Sequence, residues 1–550
     1  MRVAVATVAL AGSAVATPAR ISDYIRAATN TPATNDTATD SDASPLDEPC
    51  AIISREWQRS VNPDGIALVD AYLAHQCLLS VPLHAHDGYL QVEGVKTLAQ
   101  FQGTLAYLKD PPEGYLYPAV DVLDGLDQIL GHLNASLYTN EYDFQLDVLD
   151  VIQSAYDGHF SYQADITTVL NFGRPLPIFS VSNDGLSLPE VYYGPDVYFL
   201  IKNASSNATF SPIAQINGQD VEAFLNEYAA IEQQYQDPDA SYNKLLAQGT
   251  KVSLWRYQLS SYAIVGRYWI HHHLHPFNYR EQLDQNNQVF TSWADYYGPE
   301  TREKDNFTSI SRYNLADTYS IFCKPISNYG NLTNITPQVF QPENIVLVQD
   351  GGCSSTCAVF TEFMKSQAKV KQIVFGGRKQ NGPMKGVGGV KGANVYPFSL
   401  LAEAAGEAYE DAGPIDQVAF GAAYGNLTEA VSQAMLRAAV WADGSQLASV
   451  NVRNNIRYGD ETVTPLQFVY EAADCRLFYT IESIFAQSEV WKAAYASTWG
   501  EGSCVADSTG HPSSAPASDA IYPAPEQARN FFGAKRISSW PEHLVNKVGI

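Results

Sequence analysis

Methionine and basic residues are scarce in this chain of 550 residues, which contains 4 Met and 34 Lys plus Arg against 59 Asp plus Glu. The formal net charge is -25 at pH 7. Nucleic acids and anionic membrane surfaces attract basic proteins, so this balance argues against both as partners. An acidic chain with few lysines is typical of an extracellular or vacuolar protein.

Long apolar runs are also lacking. After residue 16, no stretch reaches the roughly 18 uninterrupted apolar residues that a membrane helix needs. Residues 1–16 begin with a basic residue, continue through an Ala/Val-rich run and end in Ala-Val-Ala, a small-x-small cleavage pattern. We therefore predict a signal peptide and a soluble, secreted protein, with the vacuole as the alternative compartment.

The usual motifs for cofactors are missing. The glycine-dense segment 382–392, GPMKGVGGVKG, lacks the GxxxxGK[ST] pattern of a phosphate-binding loop. The His271 cluster (His271, His272, His273 and His275) has no glutamate in an HExxH arrangement. We therefore expect neither a metal nor a cofactor, and a zinc hydrolase built on the His271 cluster is the weaker alternative.

Cysteines and glycosylation sequons agree with export. The seven cysteines leave at least one without an intramolecular partner, and we predict that Cys50 pairs with Cys77. A glycoprotein is indicated by eight Asn-x-Ser/Thr sequons. They begin at Asn35, Asn134, Asn203, Asn207, Asn306, Asn331, Asn334 and Asn426.

Residues 344–365, NIVLVQDGGCSSTCAVFTEFMK, have the pattern of a strand, a sharp turn and a helix. Residues 345–348 form an unbroken β-branched run, which predicts a strand buried on both faces of a parallel sheet. Two glycines then permit a tight turn, and apolar residues recur at helical spacing from residue 358 onward. Ser354, Ser355 and Thr356 are therefore predicted at a helix N-terminus.

A hydroxyl at that position has two uses. Free backbone N–H groups at a helix N-terminus stabilise a developing oxyanion, so the hydroxyl could serve as a nucleophile. Serine and threonine are also common N-caps, and local composition alone favours this structural role.

The segment DGGCSSTCAVFTEF, together with YDGHF at residues 156–160, resembles the tail-specific (C-terminal-processing) serine proteases. It is closest to their secreted fungal branch, which is similar to the chlamydial protease-like activity factor. The resemblance implies Ser355 as nucleophile and His159 as general base. It also implies that the Thr356 amide forms part of the oxyanion hole.

The third catalytic residue is less clear from the resemblance. The family's glutamate falls at Gln467 in this chain, so Glu461 and Glu471 are the nearby carboxylates, and we assign Glu461. Many bacterial relatives use a lysine as base, for which Lys385 is the nearest candidate. The histidine in its own motif makes His159 the preferred base.

The predicted fold is mixed α/β and multidomain: a helical N-terminal unit, a PDZ-like β-rich domain and a ClpP/crotonase-like α/β protease core. Amphipathic patterns at 95–108 and 120–133 indicate the helices of the first unit. The predicted boundaries are a signal peptide (1–16), a disordered spacer (17–49), a helical region with the His motif (50–185), a PDZ-like domain (186–250), a connecting region (251–340), the protease core (341–480) and a partly disordered extension (481–550).

The PDZ-like assignment depends on a strand, an Asn217-Gly218 turn and an amphipathic helix. In the resembled family such a domain lies between the His and Ser segments and governs peptide access. The predicted partners are thus protein or peptide substrates, and the family leaves a homodimer open. The alternative function is a catalytically inactive, secreted peptide-binding protein that uses the PDZ-like domain.

Overall fold

A computed structural model describes residues 5–9, 48–61, 66–173, 177–202, 209–231, 235–246, 279, 282–298, 300–314, 340–440 and 446–514. The His271 cluster and Cys323 lie outside these residues, as do most of the predicted spacer and connecting region and everything after residue 514.

Residues 48–153 are mostly helical. Their helices are α1 (Pro49–Ser60), α2 (Ala71–Leu79), α3 (Ala85–Ala99), α4 (Leu105–Lys109), α5 (Val122–Asn134) and α6 (Glu141–Gln153). Helix α5 follows the predicted pattern, because its apolar residues three and four apart are buried together. Each fully buried aliphatic side chain stabilises the fold by about 1.5–3 kcal/mol.

The pattern at 95–108 does not form one helix, so that prediction was wrong in its extent. Helix α3 ends at Ala99, and the chain turns before α4 begins at Leu105. The turn is held by Gly103, whose N–H donates to Asn451 O over 2.7 Å. A distant strand therefore interrupts a helix that the local sequence favours.

A small antiparallel sheet includes the first strand of the chain. Antiparallel pairing gives the order β2-β1-β4 for β1 (Val5–Ala9), β2 (Ile66–Asp70) and β4 (Asn171–Gly173). Strand β1 lies in the predicted signal peptide, so its pairings are available only to a chain that retains this segment. A second sheet contains β3 (Ser161–Tyr162), described below.

The region predicted as PDZ-like, together with the strand that precedes it, contains two hairpins and three helices. Its elements are β5 (Ile178–Val181), β6 (Glu190–Tyr193), α7 (Gly194–Lys202), β7 (Gln215–Ile216), β8 (Gln219–Asp220), α8 (Val221–Ile231) and α9 (Pro238–Leu245). Asn217 and Gly218 join β7 to β8 with φ values of 53° and 82°. Two positive φ values suit a tight hairpin turn, so the predicted strand, turn and helix are confirmed.

Short elements follow between residues 282 and 314. They are β9 (Gln282–Asp284), α10 (Trp293–Tyr297), β10 (Glu300–Arg302), β11 (Asp305–Phe307) and β12 (Ser311–Tyr313). Strand β9 pairs with β12 and β10 with β11, both antiparallel.

A parallel sheet carries the predicted nucleophile segment. Its order is β13 (Val346–Gln349), β14 (Lys371–Phe375) and β17 (Cys475–Leu477). Helix α11 (Thr356–Glu362) follows β13 and continues into a π-helical turn, Phe363–Gln367. The predicted strand exists, but its burial on both faces was wrong: β13 is an edge strand and Val348 is 38% exposed.

An antiparallel sheet carries the predicted histidine segment. Its order is β15 (Ala393–Pro397), β16 (Ala448–Arg453) and β3, and β3 begins two residues after His159. Helices α12 (Phe398–Asp411) and α13 (Pro414–Arg437) connect β15 to β16. The predicted serine and histidine segments are therefore attached to two different sheets.

The start of the C-terminal extension is folded. Helices α14 (Ile481–Phe485) and α15 (Gln487–Trp499) bury Ile484, Val490 and Ala494 in one core with the parallel sheet. Three disulfides join Cys50 to Cys77, Cys353 to Cys357 and Cys475 to Cys504, which confirms the predicted first pair. Among the described residues, no helix has the length and apolar character to cross a membrane.

We predict that Gly94→Ala destabilises the protein by about 1–3 kcal/mol, because overpacking in a tight contact has that cost. A Cβ at Gly94 of α3 would lie 2.0 Å from Ala430 O in α13. The matched control is Gly131→Ala in α5, where a Cβ would meet nothing within 4 Å. Its better helix propensity should stabilise the helix by up to about 1 kcal/mol.

Thermal unfolding of both variants and the parent, under identical conditions, measures the two effects. Equal melting temperatures for Gly94→Ala and the parent would contradict the close packing of α3 on α13.

Candidate active site

The chain turns sharply between β13 and α11. Gly351 has a φ of 82°, and Ser355 has a φ of 57° and a ψ of -121° although it carries a side chain. Holding a non-glycine residue in a sparsely populated backbone region costs about 1–3 kcal/mol, and such strain persists only where surrounding contacts impose it. Strained residues of this kind are common at functional sites, so Ser355 is a candidate functional residue.

Three connections hold the strained turn. Ser355 N–H donates to Val390 O over 2.8 Å, and Gly389 N–H donates to Cys353 O over 3.0 Å. The disulfide from Cys353 to Cys357 brackets the serine. The turn is therefore fastened to residues 387–392, which we call the bridging loop.

The two serines of the turn have different surroundings. Ser354 Oγ lies against Gly389, where a Cβ atom would come within 1.6 Å of it. Ser355 occupies the N-cap position of α11, but its side chain accepts no capping hydrogen bond. The Ser355 side chain therefore does not cap the helix, contrary to the structural role that local composition favours. Its hydroxyl makes no hydrogen bond to the helix N-terminus.

The first amides of α11 differ in their bonding. Cys357 N–H donates to Ser354 O over 3.0 Å, whereas the Thr356 N–H has no acceptor within the part of the chain that the structure describes. Thr356 is exposed, so its N–H, one of the donors that a helix N-terminus leaves without an intrahelical partner, is accessible to an incoming acceptor. The Thr356 amide next to Ser355 has the chemistry of an anion-binding donor.

His159 is fixed by its backbone. Its N–H donates to Asp157 Oδ1 over 2.9 Å, and its carbonyl accepts from Ser449 Oγ over 2.8 Å. Its ring Nδ1 lies 3.5 Å from Asn451 Oδ1. The residue is 8% exposed, so the imidazole lies in a site with little water.

The bridging loop connects the serine and histidine segments. Val390 at one point of the loop binds Ser355, and Gly392 two residues later lies against Asn451, where a Cβ would come within 2.2 Å of Nδ2. Asn451 in turn faces His159. Two extended residues span at most about 7 Å, so both motifs converge on one short stretch. A direct bond between Ser355 and His159 is not among the hydrogen bonds of the described residues.

Asp157 contributes a buried carboxyl group beside the histidine. Burial raises the pKa of this carboxyl, while the His159 charge and its hydrogen bonds lower it in part. Burial disfavours a lone carboxylate, so its three partners, His159, Gln102 and Phe160, are what make the position tolerable.

The assigned third residue, Glu461, lies on an exposed turn. No hydrogen bond joins it to His159 in the described part of the chain, and its catalytic role stays a prediction. Gln467, which matches the family's glutamate, is buried: its Oε1 accepts from Lys391 N–H over 2.7 Å and its Nε2 donates to Tyr156 O over 3.2 Å. Its amide therefore positions the backbone on both sides of the site.

Glu471 belongs to a buried ion cluster. It binds Lys391 over 2.8 Å, contacts Arg457, and lies 3.8 Å from Lys365. Burial raises the pKa of Glu471, but the charges of Lys391, Lys365 and Arg457 outweigh it and hold the pKa well below its ordinary value. This carboxylate is ionised and fully engaged, as a structural group would be.

A cavity of about 90 Å³ runs beside α11. Val359 and Phe363 of the nucleophile helix line it, together with Val387 and Lys391 of the bridging loop. Val359 lies one helical turn after Ser355, and its N–H donates to Ser355 O. The cavity therefore follows the helix face that begins at the serine.

Lys385 is buried away from these contacts. Its Nζ donates to Gln236 Oε1 over 2.7 Å. Burial and the Lys391 charge lower its pKa to about 7, against an opposing effect of Asp237. Its amine is thus paired within the protein, and no bond links it to Ser355 among the described residues.

Sequence reasoning missed Asn451 and Gln102, which surround the histidine. Asn451 N–H donates to Gln102 Oε1 across 349 residues of chain. No local signal marks Gln102, because it falls in the pattern at 95–108 that favours one continuous helix. Nothing local marks Asn451, which reads as one position of a strand.

One part of the chain is similar to a known domain family. Residues 171–302 match the family described as CPAF-like PDZ domain. The match includes the predicted segment 186–250 and extends beyond it at both ends, and the predicted boundaries themselves stay a prediction.

Curated fungal relatives match larger parts of the chain. Peptidase S41 family protein phomP1′ of Diaporthe leptostromiformis is 23% identical over an alignment 619 positions long, covering 72% of this chain and 92% of the relative. Peptidase S41 family protein ustP of Aspergillus flavus is 36% identical over 232 residues, covering 40% of this chain and 47% of the relative. No solved structure matches the chain.

These findings define the class of the protein, which is a serine-type peptidase. The predicted kinship with the tail-specific proteases, carrying a PDZ-like domain and having fungal S41 peptidases as relatives, is confirmed. The mixed helix and strand fold with a PDZ-like domain is confirmed as well. The ClpP/crotonase-like form of the core stays a prediction.

We predict that Glu471→Gln destabilises the protein by about 3–5 kcal/mol at pH 7, because it leaves buried cations without their counter-ion. The folded-state pKa of Glu471 is depressed, so its stabilisation is fully present above its ordinary pKa of 4.5 and is lost as the pH falls below that value. Urea unfolding between pH 3 and pH 7 should therefore show a weaker pH dependence in the variant.

The matched control is Glu489→Gln, which removes an exposed carboxylate paired with Lys492 and should leave stability unchanged. If Glu471 instead acted in catalysis, its variant would retain stability and lose activity.

Proposed function

We propose that the protein is a secreted serine endopeptidase that hydrolyses peptide bonds through an acyl-enzyme on Ser355. The single observation that carries the proposal is the strained position of Ser355, with an uncommitted hydroxyl next to the unbonded amide of Thr356. The bridging loop then brings the His159 segment to the same place. Protein backbones maintain such strain chiefly where function uses it.

His159 takes the proton from Ser355 Oγ as the oxygen attacks the scissile carbonyl. The negative charge that develops on the carbonyl oxygen is stabilised by the Thr356 N–H. The protonated imidazole then gives its proton to the leaving amine, and the acyl-enzyme forms. Water, activated by the same imidazole, attacks the ester and releases the second product.

The core is proposed to be of the ClpP/crotonase-like α/β type. The parallel order β13-β14-β17, with α11 directly after β13, supports this assignment. In such open α/β sheets, ligands bind at the carboxyl ends of the strands. Ser355 lies after the carboxyl end of β13, where a substrate would be expected.

Protein or peptide chains are the proposed substrates. The CPAF-like PDZ match supports peptide binding, because PDZ domains bind extended peptides by strand addition. The cavity beside α11, which Val359 lines one helical turn after Ser355 together with the charged Lys391 and Glu471, is proposed to hold one substrate side chain. Neither a metal nor an organic cofactor is required by these steps.

Secretion is proposed from the predicted signal peptide and sequons. The three disulfides support it, because disulfides persist in oxidising compartments and are rare in the cytosol.

We predict that Ser355→Ala abolishes hydrolysis of denatured casein, with a loss of at least about 10³-fold, since the nucleophile is absent. Ser354→Ala should retain activity within about threefold, because its hydroxyl lies against Gly389. The measurement is the hydrolysis rate of both secreted variants beside the parent, with labelling by a fluorophosphonate probe.

Labelling that persists in Ser355→Ala would refute the nucleophile assignment. Peptide binding without labelling in the parent would favour the inactive peptide-binding alternative.

A further inference from the structure

His159 and three neighbouring residues form a closed ring of polar contacts through side chains and backbone N–H groups. The contacts are Asn451 N–H to Gln102 Oε1 at 2.7 Å, Gln102 Nε2 to Asp157 Oδ2 at 3.0 Å, His159 N–H to Asp157 Oδ1 at 2.9 Å, and His159 Nδ1 to Asn451 Oδ1 at 3.5 Å. All four residues are buried, with exposed fractions between 0% and 8%. Buried polar networks that are closed in this way are rigid.

The ring determines the orientation of each amide. Gln102 Oε1 faces the Asn451 N–H, so its Nε2 faces the carboxyl group of Asp157. That carboxyl group accepts a hydrogen bond from the His159 backbone N–H and so fixes the backbone from which the imidazole extends. The remaining contact, between Nδ1 and the asparagine, fixes the rotation of the imidazole.

We propose that Asn451 is the positioning residue of the catalytic histidine. This inference rests on the proposed function. Asn451 Oδ1 accepts the Nδ1–H of His159, which holds the imidazole in the tautomer whose Nε2 is unprotonated and can accept the Ser355 proton. The residue thus fills the place of the carboxylate that the resembled family would supply.

The surroundings of Asn451 suit this role. Its backbone is part of β16. Ser449 of the same strand donates to the His159 carbonyl, so a hydrogen bond joins the strand to the histidine backbone. Its Nδ2 is buried and has no hydrogen-bond partner within the described residues. Burying the Nδ2 group without a partner costs desolvation free energy. We infer that the amide is retained for the contact that its Oδ1 makes.

The contact of 3.5 Å is long for a hydrogen bond. In enzymes without substrate, catalytic hydrogen bonds are often long and shorten when substrate binds.

The test compares Asn451→Ala with Asn451→Asp in the full chain. We expect Asn451→Ala to lower kcat by about 10- to 100-fold with KM nearly unchanged, a part of the 10²–10⁴ that general-base catalysis contributes. Asn451→Asp should restore kcat, because a carboxylate accepts the same proton. Its charge also favours the imidazolium, so the acidic limb of the kcat/KM profile should move to higher pH.

The matched control is Asn454→Ala, which removes an asparagine three residues away whose Nδ2 donates to Gly103 O. Its kcat should equal that of the parent. Equal losses in both alanine variants, or no loss in Asn451→Ala, would overturn the proposal.

A second measurement does not depend on activity. In protein labelled with ¹⁵N-histidine, the His159 signals should show protonated Nδ1 in the parent and a shift toward protonated Nε2 in Asn451→Ala. Protonated Nε2 in the parent would overturn the positioning role even in an active enzyme. If the parent showed the expected tautomer but Ser355→Ala remained active, the proposed function alone would fail.

Discussion

The bridging loop is the constraint on which the candidate site depends, because it is bonded to the nucleophile turn and, through Gln467, to Tyr156 of the histidine motif. It binds the nucleophile turn through the Ser355 N–H and lies against Asn451, which faces the histidine. Glycine is needed at three of its positions: Cβ atoms would come within 2.6 Å of neighbours at Gly388, 1.6 Å at Gly389 and 2.2 Å at Gly392. Only residues without a side chain at these points fit against Ala240, Ser354 and Asn451.

Buried charge fixes the loop in place. Lys391, in the middle of the loop, donates to Val469 O and to the Glu471 carboxylate. Desolvating these ions is costly, and the cost is repaid only when every ion keeps its partners, so the geometry is strongly specified. Arg457 extends the same cluster to Glu362 in α11. The nucleophile helix and the loop are therefore held by one set of ion pairs.

Features determined by local sequence could be predicted, and features determined by distant contacts could not. The strand, turn and helix around Ser355 follow from a β-branched run, two glycines and helical spacing within 22 residues of sequence. The contacts of His159 are different: its ring partner lies 292 residues away, and a strand position reveals nothing about which side chain it will face. The exposure of Val348 escaped prediction for the same reason, since only the sheet order makes β13 an edge. Glu461 is assigned as one of two carboxylates near Gln467 in sequence, and proximity in sequence does not determine which side chain of a loop faces a distant imidazole.

A neutral asparagine next to the histidine is physically consistent with the nearby Asp157. That carboxyl group is already buried beside His159, and burial raises its pKa while the histidine charge opposes this effect. A second buried carboxylate at position 451 would accept the same imidazole proton but would repel Asp157, which costs stability in a site with little water. An amide oxygen orients the imidazole without that repulsion, and Asp157 remains as the acidic group that can balance the imidazolium formed during proton transfer. Orientation and charge compensation, which one carboxylate performs in a conventional triad, would then be divided between two residues joined through Gln102.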